Sequence, residues 1–162
     1  MNSITLPQSI HRALLAQARA AAPIEACAIL AGRDGHGQAF FPMTNTDASA
    51  DHFMMDPREQ FAVVKAMRAA GQQILAIHHS HSATPAWPSA EDIRLAVTPG
   101  VIYTILSLAK PDAPCLKGFS IEGGVVSEVP VSITPDAQLD GFTQLGHDKN
   151  PRAPSRRRAG AP

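Results

Sequence analysis

Only two cysteines, Cys27 and Cys115, occur in 162 residues, far apart and without a CxxC pair. That excludes a disulfide framework and favours a reducing compartment. Basic and acidic residues balance at 14 each, so there is no electrostatic case for a nucleic-acid partner. No apolar run approaches the ~20 residues of a membrane helix. The opening residues Met1-Asn2-Ser3-Ile4-Thr5-Leu6-Pro7 lack the basic start and apolar stretch of a signal peptide. No internal repeat is visible. The expectation is a cytoplasmic protein with no membrane and no nucleic-acid contact. Its 44% hydrophobic content is enough for one core without staples.

The order of elements predicts an α/β domain. Residues 3–6 read as a short strand stopped by Pro7, and 8–21 as a helix with Ile10, Leu14, Leu15 and Ala18 on one stripe. Residues 26–30 form a compact apolar strand. The turn Arg33-Asp34-Gly35-His36-Gly37 joins it to a hairpin partner at 38–43, and 53–55 is a brief extended segment. Asp56-Pro57-Arg58-Glu59 is a helix start, with Asp56 as cap, Pro57 first and Glu59 at the capping-box place; Gly71 ends that helix. Residues 73–81 read as a strand covered on both faces, 89–97 as a short helix, and 101–109, 115–121 and 125–133 as strands, the last two a hairpin. One mixed central sheet flanked by helices is the economical arrangement for residues 1–134. Residues 135–162, with the triplet Arg156-Arg157-Arg158, read as a disordered, basic, proline-rich tail, its triplet a solvated charge run.

The chemistry concentrates in His78-His79-Ser80-His81, a proline-rich loop, and Ser89-Ala90-Glu91-Asp92. Residues i and i+2 of a strand share a face, so His79 and His81 converge while His78 points the other way. They leave the strand at its carboxyl end, where open α/β sheets place ligand sites. Asp92 lies on the first turn of the following helix. Two imidazoles and a carboxylate suit one Zn2+ with a fourth position left for water, the mark of a catalytic site. Ser89 and Asp92 taken alone need be no more than a capping box; the His-x-His upstream favours ligands. A catalytic zinc needs a general base nearby, and Glu25, at the lip of the strand 26–30, is the candidate. An acidic residue there can also simply face water. Glu91 is the substitute, but it points about 100° away from Asp92 on the helix. Cys27 reads as a buried structural thiol, and His52 and His78 as polar core-edge or surface residues. Trp87 is either a cleft wall or packing over the helix start.

His79-Ser80-His81, seven residues, Ser89, two residues and Asp92, with Glu25 upstream in Pro23-Ile24-Glu25-Ala26-Cys27, resembles the JAMM (MPN+) metalloproteases. The similarity runs from about Ser3 to Ile133 and looks like the compact prokaryotic branch that processes sulfur carriers. It implies the cytidine-deaminase-like JAMM/MPN fold, with His79, His81 and Asp92 on zinc. Glu25 would take a proton from water and pass it to the leaving amine. Ser89 would hydrogen-bond the oxyanion. The implied substrate is an amide at the C-terminal Gly-Gly of a ubiquitin-like sulfur-carrier protein of the ThiS/MoaD kind, or its amino-acid adduct. Other readings are a phage-tail or cell-wall-associated peptidase of the same fold and a non-catalytic MPN interaction module; a homodimer stays open. Two departures stand out: Ser82 where the family has proline after the second histidine, and Ala28 where glycine is common. The first predicts a looser loop.

Overall fold

The computed structural model describes residues 2–136. The expected tail falls outside them except for Pro135 and Asp136. Eleven elements follow in order: β1 (Ile4–Pro7), α1 (Gln8–Ala21), β2 (Cys27–Arg33), β3 (His36–Met43), α2 (Pro57–Ala69), β4 (Gln73–His81), α3 (Ala90–Leu95), β5 (Ile102–Ser107), β6 (Cys115–Glu122), β7 (Val125–Val129) and β8 (Val131–Thr134). All eight strands join one mixed sheet in the order β7-β6-β5-β4-β2-β3-β1-β8. β4 pairs antiparallel with β2 and parallel with β5, so it lies well inside the sheet. Among the described residues no helix is long and apolar enough to cross a membrane.

Each face of the sheet carries its own core. Ile10, Leu14 and Ala18 of α1 pack on Leu30, Leu75, Ile102 and Leu106. The opposite face is shared. Tyr103, Ile105 and Phe119 meet Ile93 and Ala96 of the α3 region, while Cys27, Ile29 and Met55 meet Val63 of α2. α1 has no side-chain cap of its own. Asp136, 127 residues further along, supplies one, accepting from the Ser9 amide (2.7 Å) and pairing with Arg12 (2.8 Å).

Three local expectations need correction. The strand expected over 125–133 is two strands on opposite edges, β7 beside β6 and β8 beside β1. Pro130 separates them because it has no N–H for a ladder, and its carbonyl accepts from the Ile4 amide (3.0 Å). The sheet therefore curls until its edges approach over Gly118, where an added Cβ would lie 2.8 Å from Val131 and 3.2 Å from Val129. At α2, Asp56 caps as predicted, accepting from the Arg58 and Glu59 amides. Glu59 does not close the box, however. The Asp56 amide is already held by the Thr44 carbonyl, and the Glu59 carboxylate instead holds the Thr44 amide and hydroxyl (2.7 Å each). Residues 53–55 form only a bridge between Asn45 and Met55.

Candidate metal centre

Alternation along β4 sends His79 and His81 to the face shared by α2 and α3, and His78 to the face covered by α1. His78 is fully buried, not at a core edge, and its Nδ1 lies 3.0 Å from the Thr104 hydroxyl. Burial, with help from the neighbouring His79, pushes its pKa down to about 3. It is a neutral core residue.

The other face brings four groups together. His79 Nε2 and His81 Nε2 stand 3.0 Å apart. Asp92 Oδ1 is 3.4 Å from His79 Nε2, and its Oδ2 is 3.7 Å from His81 Nε2. Glu25 Oε1 is 3.8 Å from His81 Nε2. Glu25, His79 and His81 each offer a donor atom within 4.8 Å of the other two, and Asp92 closes the ring, addressing each imidazole through a different oxygen. Glu25, His79 and His81 are 3%, 2% and 4% exposed, so water does not solvate them.

Hydrogen accounting shows what the ring lacks. His81 Nδ1 donates to the Pro85 carbonyl (2.9 Å), which leaves Nε2 of the neutral ring with a lone pair. That lone pair faces His79 Nε2 at 3.0 Å. His79 Nδ1 and Glu25 Oε2 are buried without any partner. Two ring nitrogens at that distance repel unless a proton or a cation lies between them. Two imidazoles and two carboxylates converging with few hydrogens to share form a donor set suited to a divalent ion.

The titration behaviour agrees. Burial, the largest influence, pushes Glu25 up to about 7; His81 works against the rise and Asp92 adds to it. Burial also lowers His79, which Asp92 partly offsets. At His81 burial, which lowers the pKa, is outweighed by the nearby Asp92 carboxylate, the bond to the Pro85 carbonyl and the Glu25 carboxylate, and the pKa rises. Asp92 is raised by burial but held well below the usual carboxylate range by the two histidines beside it and the bond from Ser89.

Ser89 is the N-cap of α3. Its hydroxyl accepts from the Asp92 amide (3.1 Å), while its own amide donates to Asp92 Oδ2 (2.7 Å). The capping box and the ligand geometry are thus one device: the cap aims the carboxylate. Ser82 is not loose, because its hydroxyl donates to the Pro23 carbonyl (3.0 Å), tying this loop to the approach to Glu25. Cys27 is a buried thiol, donating weakly to the Met43 carbonyl and pushed up to about 12 by burial. Trp87 meets Phe119 edge-on at 5.3 Å, packing on the sheet. Glu91 lines the cleft and pairs with Arg94 (2.8 Å). His52 lies near the surface between Asp47 and Asp51.

Sequence reasoning passed over three contributors. Phe53 stacks on the His79 ring (4.8 Å between centroids, 26° between planes). Ser80, on the α1 side, accepts from the Ala26 amide (2.9 Å) and so fastens the strand beside Glu25. Asn45 bonds to the Glu25 carbonyl. No sequence signal separates these from ordinary aromatic, serine and loop residues. Beside His79 and Asp92 opens a cleft of about 280 Å³, lined by Phe53, Met55, Leu95, Tyr103 and Ile121 among others.

Such an α/β sheet with a His-His-carboxylate cluster at the end of an interior strand is the architecture of a JAB1/MPN domain. Residues 7–117 match the family described as prokaryotic homologues of the JAB domain. The CysO-cysteine peptidase of Mycobacterium tuberculosis is 38% identical over 132 residues, covering 80% of this chain and 90% of that protein. The desampylase of Haloferax volcanii is 31% identical over 112 residues, covering 64% of this chain and 80% of its own. Among solved structures, DSY2949 from Desulfitobacterium hafniense superposes with a TM-score of 0.77 at 45% identity, over 83% of this chain and 95% of that one. A structure described as a metalloprotease-like zinc site in the proteasome and signalosome shares the fold, with a TM-score of 0.54 at 18% identity, over 81% and 97%. The chain belongs to the prokaryotic JAB-domain family, the compact branch of the JAMM/MPN+ proteins, and it is a peptidase.

Proposed function

We propose that this protein is a zinc-dependent, cytoplasmic peptidase that hydrolyses the amide bond after the C-terminal Gly-Gly of a ubiquitin-like sulfur-carrier protein, releasing an amino acid or conjugated protein. The observation that carries the reading is the ring of Glu25, His79, His81 and Asp92, whose ring nitrogens face one another at 3.0 Å. His79, His81 and Asp92 would hold the metal. Bound there, zinc supplies a Lewis acid and lowers the pKa of water to about 7.

The chain's own groups do the rest. Glu25 Oε2 has no partner, and the carboxyl titrates near neutrality, so it can accept a proton from water and return it to the leaving amine. The Ser89 hydroxyl uses a lone pair on the Asp92 amide and keeps its own hydrogen to donate to the oxyanion of the substrate. One well-aimed donor contributes about 3 kcal/mol to a transition state. The largely apolar cleft can receive an extended tail. The CysO-cysteine peptidase and the desampylase are named for conjugate substrates, which supports a carrier-protein conjugate as the substrate class. The test is zinc content, together with cleavage of a Gly-Gly-extended carrier by wild type, Glu25→Ala and His79→Ala. Cleavage unchanged in both variants would sink the mechanism.

A further inference from the structure

Glu25 lies just before β2, outside the sheet's ladder. Its backbone is held by the loop that follows β3: its amide donates to the Ser49 carbonyl (2.8 Å), and its carbonyl accepts from Asn45 Nδ2 (3.1 Å). The same Nδ2 donates to the His52 carbonyl (3.1 Å). Asn45 Oδ1 accepts from the Met54 amide (3.1 Å) and the Asp47 amide (3.2 Å). All four hydrogen-bonding positions of the amide are therefore used. Two of those bonds straddle Phe53, whose ring stacks on His79.

We infer that Asn45 is a positioning residue: it clamps the backbone of Glu25 to the segment bearing Phe53, so that the base and the cleft wall keep one spacing across the metal ring. This rests on the peptidase reading above. The Asn45 side chain bonds to Glu25, His52, Asp47 and Met54 and not to His79, His81 or Asp92, so its loss should misplace the base without releasing the metal. No other residue type offers this combination at that size. Aspartate accepts as asparagine does but cannot donate, and alanine does neither.

Three variants separate the clamp from general loop stiffness. Asn45→Asp keeps the acceptor to Met54 and Asp47 but loses donation to Glu25 and His52. Asn45→Ala loses both. Thr46→Val is the control, removing a hydroxyl bond to the Met54 carbonyl in the same loop with no link to Glu25. Asn45→Asp and Asn45→Ala should retain zinc stoichiometry and lose kcat by about 10–100-fold, the usual scale for supporting contacts around a metal centre. KM should change less than kcat, and Thr46→Val should stay within about twofold of wild type for both. Amide exchange at Met54, followed by NMR, should quicken in Asn45→Ala and not in Asn45→Asp. Wild-type kcat in Asn45→Asp would overturn the proposal, as would zinc loss in step with activity or an equal kcat loss in Thr46→Val. If the wild type itself cleaves no carrier, the substrate assignment fails while the clamp is still judged by exchange: an unaltered Met54 amide in Asn45→Ala would end it.

Discussion

His78 and His79 are chain neighbours of the same residue type, yet the two faces of β4 give them opposite fates. On the α1 side His78 is fully buried, pairs with Thr104, and is held neutral down to about pH 3. On the other side His79 meets His81, Asp92 and Glu25 beside an open cleft. The residue type decides nothing here. The pleat decides, because it alternates side chains between a sealed core and a site where carboxylates from β2's approach and α3 arrive.

The sharpest way to break this contrast is to remove one histidine from each face. His79→Ala should take zinc binding and cleavage to background, measured by metal analysis and carrier hydrolysis. His78→Ala should keep the metal and the activity, and cost about 1–3 kcal/mol in folding because Thr104 loses its buried partner. It should also change the acid response. His78 is charged in the unfolded chain below about 6.5 but stays neutral when folded until about 3, so its burial favours unfolding as pH falls across that window. The metal-free variant should therefore lose stability less steeply between those pH values, as followed by denaturant titration.

Glu25→Gln comes next. It should lower kcat by about 10²–10⁴-fold, the range for a positioned acid–base group. Yet metal-free Glu25→Gln should melt higher than wild type at pH 8. The folded pKa of about 7 stands above the ordinary 4.5, so burying the charge costs stability as pH rises through that interval. The difference should vanish near pH 4. A Glu25→Gln protein that melts lower than wild type at pH 8 would mark Glu25 as a structural residue.

Ser89→Ala should give a smaller, double effect. Losing the cap costs about 1 kcal/mol, and losing the hydroxyl hydrogen lowers kcat by about 10²-fold with zinc retained. Smallest of all is Ser82→Ala, which removes one partly exposed hydrogen bond to Pro23. It should shift stability by about 1 kcal/mol or less and leave hydrolysis nearly unchanged.

Much of the site was legible in the chain because its chemistry is local. The period of two placed His79 with His81, and the seven-residue loop to Ser89 placed Asp92 on a first helical turn. Glu25 was legible only through its resemblance and its position at a strand's edge, since a lone acid at such a lip carries no signature. The helix at Asp56 was half legible: the cap formed, but Glu59 found Thr44, a partner that exists only after β3 and α2 have docked. Asn45, Phe53 and Ser80 were not legible at all, because their roles are hydrogen bonds and stacking with segments distant in sequence.

By itself the sequence determined which side chains share a face, where turns and caps fall, and which donor types lie within reach of one another, since these depend on backbone period and short-range chemistry. Tertiary structure alone decided that β7 and β8 part at Pro130 to opposite edges of the sheet. It also decided that Glu25 is pressed against His81 in a dry environment, and that the Asn45 side chain bonds both the Glu25 carbonyl and the backbone on either side of Phe53. Those outcomes depend on long-range packing, which sets the distances and the loss of water that give a carboxyl its proton affinity.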